Sequence, residues 1–122
     1  MKVLLIDDNT EITELFETTL TAKGYSVKIT NDGREGLELI KKKESDLVLL
    51  DLAIPEFSGE DVLNELQKDG PLDDYNIYIF TASVMSDGEA DEFIKKGVLG
   101  FLRKPVRLND LIDVIEQHKT QK

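Results

Sequence analysis

Five groups able to do chemistry stand where apolar runs of this sequence stop. Val3 to Ile6 lead directly into Asp7 and Asp8, and LVLL (47–50) leads into Asp51. NIYIF (76–80) ends in Thr81, and LGFLR (99–103) ends in Lys104. Carboxylates are among the side chains least often buried without a partner. Three of them converging would repel, by about 4 kcal/mol per pair at 4 Å even at an effective dielectric of about 20. Such a trio needs either a dication or a proton. Hard oxygen ligands without histidine or cysteine favour Mg²⁺, which keeps waters and takes one or two carboxylates plus phosphate oxygens. A hydroxyl and an amine at the same edge suit the remaining oxygens of a phosphoryl group. A carboxylate can also be the nucleophile, forming an aspartyl phosphate.

The elements that must position these groups follow from hydrophobic period. VLLID (3–7), YSVKIT (25–30), LVLLD (47–51), NIYIFT (76–81) and LGFLRK (99–104) are rich in β-branched, leucine and aromatic residues and too short for helices, so they read as strands. Helix-period segments lie between them. The first carries Ile12, Leu15, Phe16 and Leu20 on one face and stops at Gly24. Asp32 with Glu35 opens the second, Ser58 with Asp61 the third and Ser86 with Glu89 the fourth, each a capping pattern. The third ends before Gly70-Pro71 and the fourth at Gly97, while Leu108, Leu111, Ile112 and Ile115 mark the fifth.

Strand–helix alternation implies a parallel sheet with crossover helices on both faces. The near-continuous apolar strands agree, because such a sheet is buried on both sides. The expected architecture is a single (βα)5 domain over residues 1–122, an α/β doubly wound sheet. In such a sheet ligands bind beyond the C-terminal strand ends, where strand order reverses. Asp7, Asp8, Asp51, Thr81 and Lys104 all fall on that edge. The second strand ends in Thr30 and Asn31, with no comparable group.

Composition narrows the partners. Hydrophobic residues at 40% and charged residues at 33% over 122 positions suit a globular chain with one core. A formal net charge of −10 repels nucleic-acid phosphates and anionic membranes, so direct binding of either is not expected. The absence of cysteine excludes disulfides and thiolate metal sites. No stretch reads as a signal peptide or membrane span, and the cytoplasm is the expected compartment.

IDDN (6–9), DLAIPEFSG (51–59), TAS (81–83) and GFLRKP (100–105), in this order, closely resemble the receiver domain of two-component response regulators. The resemblance covers essentially the whole chain. It implies the flavodoxin-like strand order 2-1-3-4-5. It implies that Asp51 takes a phosphoryl group from a sensor histidine kinase or histidine phosphotransfer protein. Asp7 and Asp8 match the acidic pair that holds Mg²⁺ (or Mn²⁺), with Asp51 and the backbone carbonyl of Ala53 as further ligands. Thr81 would hydrogen-bond the phosphoryl group and Lys104 would pair with it. Phe101 falls on the switch aromatic, Pro55 and Gly59 on the loop after the acceptor, and a cis bond is implied between Lys104 and Pro105. Output would be a downstream protein partner or self-association through the fourth helix, fifth strand and fifth helix. The chain would then be a signalling switch, an enzyme only toward its own phosphoryl group.

Plainer readings stand beside these. Asp8 with Glu11 could be only the capping box of the first helix. Thr81 could be an ordinary strand threonine, Lys104 a strand-end surface lysine and Phe101 simple core. His118 reads as a surface helix residue without a role. Ala53 and Ser83 flank the route for an attacking water, so the phosphoryl lifetime is left open. The competing functions are a receiver-like binding scaffold never phosphorylated in its host, and an aspartyl-phosphate hydrolase. The hydrolase expects a second acid two residues after its nucleophile, where this chain has Ala53.

Overall fold

Five parallel strands form one sheet in the order β2-β1-β3-β4-β5. They are β1 (Lys2–Ile6), β2 (Ser26–Thr30), β3 (Leu47–Asp51), β4 (Ile77–Thr81) and β5 (Gly100–Arg103). The helices between and after them are α1 (Thr10–Ala22), α2 (Gly33–Lys41), α3 (Gly59–Gln67), α4 (Asp87–Lys96) and α5 (Leu108–Thr120). The structure, a computed structural model, describes residues 1–82 and 86–120. Both the architecture and the strand order are those expected from sequence. Ser83 lies outside the described residues.

The pleat of β1 and β3 divides the core. Val3, Leu5, Leu47 and Leu49 face α1 and α5, where Phe16, Leu20, Leu111 and Ile115 meet them. Leu4, Ile6, Val48 and Leu50 point the other way, toward Leu37 and Ile40 of α2 and Val62, Leu63 and Leu66 of α3. Side chains alternate sides along a strand, so an unbroken apolar run feeds both layers. Order reverses between β1 and β3, which pair directly through Val3–Leu47 to Ile6–Leu50. Asp7 and Asp51 therefore leave the sheet side by side at its C-terminal edge.

Several local expectations need correction. The N-cap of α1 is Asn9, whose side-chain oxygen accepts from the backbone N–H groups of Glu11 and Ile12, so Asp8 does not cap this helix. Leu15 is 52% exposed rather than inward-facing. Thr13 takes the inner position with Phe16 and Leu20, and its hydroxyl is satisfied by donating to the Thr10 carbonyl at 3.1 Å. His118 is buried rather than superficial: Nε2 lies 3.0 Å from the carbonyl oxygen of Asp46. A carbonyl only accepts, so Nε2 carries the proton in that bond. A 3₁₀ turn at Leu72–Tyr75, absent from the sequence reading, buries Leu72 completely beneath the α3–β4 connection.

α4 stands apart from the other helices, since none of its residues is buried. Its half-buried Phe93 meets Phe101 of β5 edge to face, with ring centroids 6.0 Å apart.

Candidate functional site

Asp7 follows the last residue of β1 and is completely buried, and Asp51 closes β3 with only 2% of its surface exposed. Asp8, one residue on, is exposed. One carboxylate oxygen from each of the three lies within 4.8 Å of the others. Thr81 closes β4 and is also buried, and the Lys104 backbone N–H donates to its carbonyl at 2.9 Å. The five groups drawn from four separate strand ends thus share one edge.

Lys104 is the counterion of this pocket. Its ammonium lies 2.9 Å from Asp7 Oδ2 and donates to Asp51 Oδ2 at 3.1 Å. Asp51 Oδ1 accepts from the backbone N–H of Ala53 at 3.1 Å, and Asp7 Oδ1 accepts from that of Asn9 at 3.0 Å. Asp7 Oδ2 differs: its contact with Lys104 is an ion pair without hydrogen-bond alignment, which leaves it a buried acceptor lacking a hydrogen-bond donor.

The electrostatics express the same imbalance. Burial pushes the Asp7 carboxyl above its ordinary range, the nearby Asp51 charge adds to this, and the Asn9 N–H and Lys104 only partly offset it. Burial alone would lower the Lys104 ammonium, but the adjacent Asp7 and Asp51 carboxylates outweigh that and hold it above the usual lysine range. Three carboxylates against one ammonium leave two negative charges in the pocket. A dication matches that residue of charge, and an oxygen donor set with one orphaned buried acceptor is chemically suited to Mg²⁺.

The loop after β3 closes the pocket. Gly59 opens α3 so near the backbone that a Cβ there would overlap the Asp51 carbonyl oxygen and the Leu52 Cα. Ser58 and Asp61 form a reciprocal capping box that fixes this helix start. Pro55 and Ala53 are exposed on the loop, and the Lys104–Pro105 peptide is cis. Phe101 is half-buried on β5, against Phe93 rather than in the acid pocket. Beside Lys104, Ile12, Leu15, Phe16, Phe80, Pro105 and Val106 line an apolar slot of about 120 Å³.

One contributor was missed from sequence. Asn31 donates its side-chain amide to the Asp7 carbonyl at 2.7 Å, tying the end of β2 to the acidic strand end. Its position after a strand was visible, but a neutral amide bonding to a backbone group leaves no pattern to read.

A doubly wound parallel sheet carries at its switch point a buried acid pair, an exposed third acid, a strand-end threonine and a bridging lysine, the arrangement of a signalling receiver domain. The comparisons agree on the family. Residues 3–116 match the profile of the response regulator receiver domain. Response regulator MprA of Mycolicibacterium vanbaalenii is 34% identical over 112 residues, 92% of this chain and 47% of that protein. The polar-differentiation response regulator DivK of Brucella anthropi is 29% identical over 116 residues, 95% of this chain and 94% of that one. Among solved structures, the receiver domain of the Francisella response regulator 1452 superposes with a TM-score of 0.80 at 29% identity, over 99% of this chain and 98% of that one. The chain belongs to the response regulator receiver domain family. It spans about half the length of the MprA proteins it matches. No helix among the described residues is long and apolar enough to cross a membrane.

Proposed function

We propose that this domain accepts a phosphoryl group on Asp51 and uses it to switch a protein surface. A carboxylate oxygen of Asp51 attacks phosphorus, and the bond from phosphorus to a histidine ring nitrogen of the donor breaks. The electron pair returns to that nitrogen. The donor in this reading is a sensor histidine kinase or a histidine phosphotransfer protein, acting in the cytoplasm. Asp7, Asp8, Asp51 and the Ala53 carbonyl would hold Mg²⁺ (or Mn²⁺), which supplies positive charge for the phosphoryl oxygens. Lys104, already between Asp7 and Asp51, would pair with the arriving phosphoryl group, and the Thr81 hydroxyl would donate to it. The observation that carries this reading is the doubly negative pocket around a buried, otherwise satisfied Asp51.

Phosphoryl charge at Asp51 would draw Thr81 inward and re-seat Phe101 on the neighbouring strand. The consequence falls on α4, β5 and α5, where Phe93 holds a helix that buries none of its residues. A two-state element biased by a local charge is the general form of such a switch. A downstream protein or a second copy would read that surface. In this reading the whole chain 1–122 acts as one unit. Phosphorus NMR of the protein given a small acyl phosphate provides the test. A protein-bound acyl-phosphate resonance that depends on Mg²⁺ is expected, and its absence overturns the reading.

A further inference from the structure

The loop that carries the Ala53 carbonyl and closes on Asp51 is not held by sheet or helix bonds along its middle. Glu56 has φ of 68°, and Phe57 N–H donates to the Pro55 carbonyl at 2.8 Å, a tight three-residue turn in the left-handed region. Turns of this kind are uncommon and persist where surrounding structure over-determines them. Gly59 and the Ser58–Asp61 box secure the loop's far end. Ile54 anchors the loop in the core and Phe57 packs against the same cluster, and a further restraint on its middle comes from a different element, the start of α2.

Two contacts make that restraint. Gly33 lies so close to the Phe57 carbonyl oxygen that no Cβ fits there, and the Arg34 guanidinium sits 4.5 Å above the centre of the Phe57 ring. Arg34 is itself placed by a fixed helix start. Its backbone N–H donates to Asp32 Oδ1 at 3.2 Å, and Asp32 N–H donates to the buried Thr30 hydroxyl at 3.2 Å. Asn31, between them, donates to the Asp7 carbonyl at 2.7 Å. The β2–α2 turn therefore touches both halves of the acid pocket, Asp7 through Asn31 and the Asp51 loop through Arg34. It does so without contributing a charged group to the pocket.

We propose that Arg34 is a positioning residue that, by covering Phe57, holds the Ala53 loop at the distance from Asp7 that cation binding requires. The inference rests on the metal-binding reading above, and its first measurement does not depend on it. Amide exchange of Ala53, Ile54, Glu56 and Phe57 in the metal-free protein is expected to quicken in Arg34→Ala and to stay near wild type in Arg34→Lys, since either cation can sit over an aromatic ring. Calorimetric titration with Mg²⁺ is expected to show affinity weakened roughly two- to fivefold in Arg34→Ala, the range an exposed cation–π contact can carry. Phe57→Leu should weaken it similarly, and the double variant should be no worse than either single one, because both remove the same contact.

Unchanged loop exchange in Arg34→Ala overturns the proposal. So does quickened exchange with unaltered Mg²⁺ affinity, which would make the contact structural only, and so does a double variant whose losses multiply. A wild-type protein that binds no Mg²⁺ would overturn the functional reading and the positioning claim together. Loop exchange would then still report whether Arg34 restrains the loop.

Discussion

Asp7 is where the pocket stores its instability. It is completely buried, one of its oxygens lacks a donor, and burial raises its carboxyl above the ordinary range. The folded protein therefore binds a proton at Asp7 more tightly than the unfolded chain does. Stability falls as pH rises from the ordinary carboxylate value through the raised folded one, and is greatest below both. Without divalent ions, Asp7→Asn should remove that decline and be more stable than wild type at neutral pH, as denaturant melts across a pH series would show. Lys104, by contrast, stabilises the pocket in its charged form. Lys104→Met would leave two buried carboxylates facing each other, and the expected loss in metal-free protein is about 3 kcal/mol, as for breaking a buried pair. Added Mg²⁺ should recover part of that loss in denaturant unfolding.

At this scale the sequence showed most of the charged participants and few of their attachments. Asp7 and Asp51 were visible because each interrupts or ends an apolar run, which is improbable for a carboxylate without a reason, and Thr81 and Lys104 stood out only because they share that edge with the acids. Asn31 was not, because its bond is to a backbone carbonyl 24 positions away in the chain. Asp8 and Asn9 are both good capping residues. Only the backbone geometry of the turn shows that Asn9 is the one that caps, which releases Asp8 for the pocket.

Among the elements, α3 has little room for change at its start. Gly59→Ala would drive a methyl into the Asp51 carbonyl and the Leu52 Cα, both backbone. An overpacking penalty of about 3 kcal/mol is expected by chemical denaturation, along with weakened Mg²⁺ binding because the acceptor strand end must shift. α4 has the reverse property. With no buried residue, its amides should exchange faster than those of α2 or α3, while β1 and β3 should exchange slowest, in native-state hydrogen exchange. Equal protection in α4 and α3 would remove the basis for treating α4 as the movable element.

Strands and helix starts were legible because they obey strong local rules of apolar run and capping residue. What was lost depends on tertiary company. Leu15 and Thr13 exchange the roles expected from hydrophobicity, since the helix turns Thr13 inward and the hydroxyl finds a carbonyl within its own turn. Leu72 sits alone in DGPLDDYN, so its burial produces no period to detect. His118 is buried by the Asp46 turn, 72 positions earlier, which no local pattern announces.

For the whole molecule the governing quantity is charge. The chain carries a net charge of −10 over 122 residues, and at one sheet edge one lysine opposes three carboxylates. Mg²⁺ at roughly a hundred times its Kd should raise stability by about 2.7 kcal/mol through mass action. Sodium at equal ionic strength should do much less, and Asp8→Asn should reduce the Mg²⁺ effect, as thermal melts would record. Family membership explains why such a pocket sits at the switch point of this sheet, and the acceptor identity of Asp51 is the claim on which the functional account turns. Intact-mass spectrometry of wild type and Asp51→Asn, each incubated with Mg²⁺ and acetyl phosphate, tests it most directly. The account predicts one added phosphoryl group on wild type and none on Asp51→Asn; no gain by wild type, or equal gain by both, would contradict it.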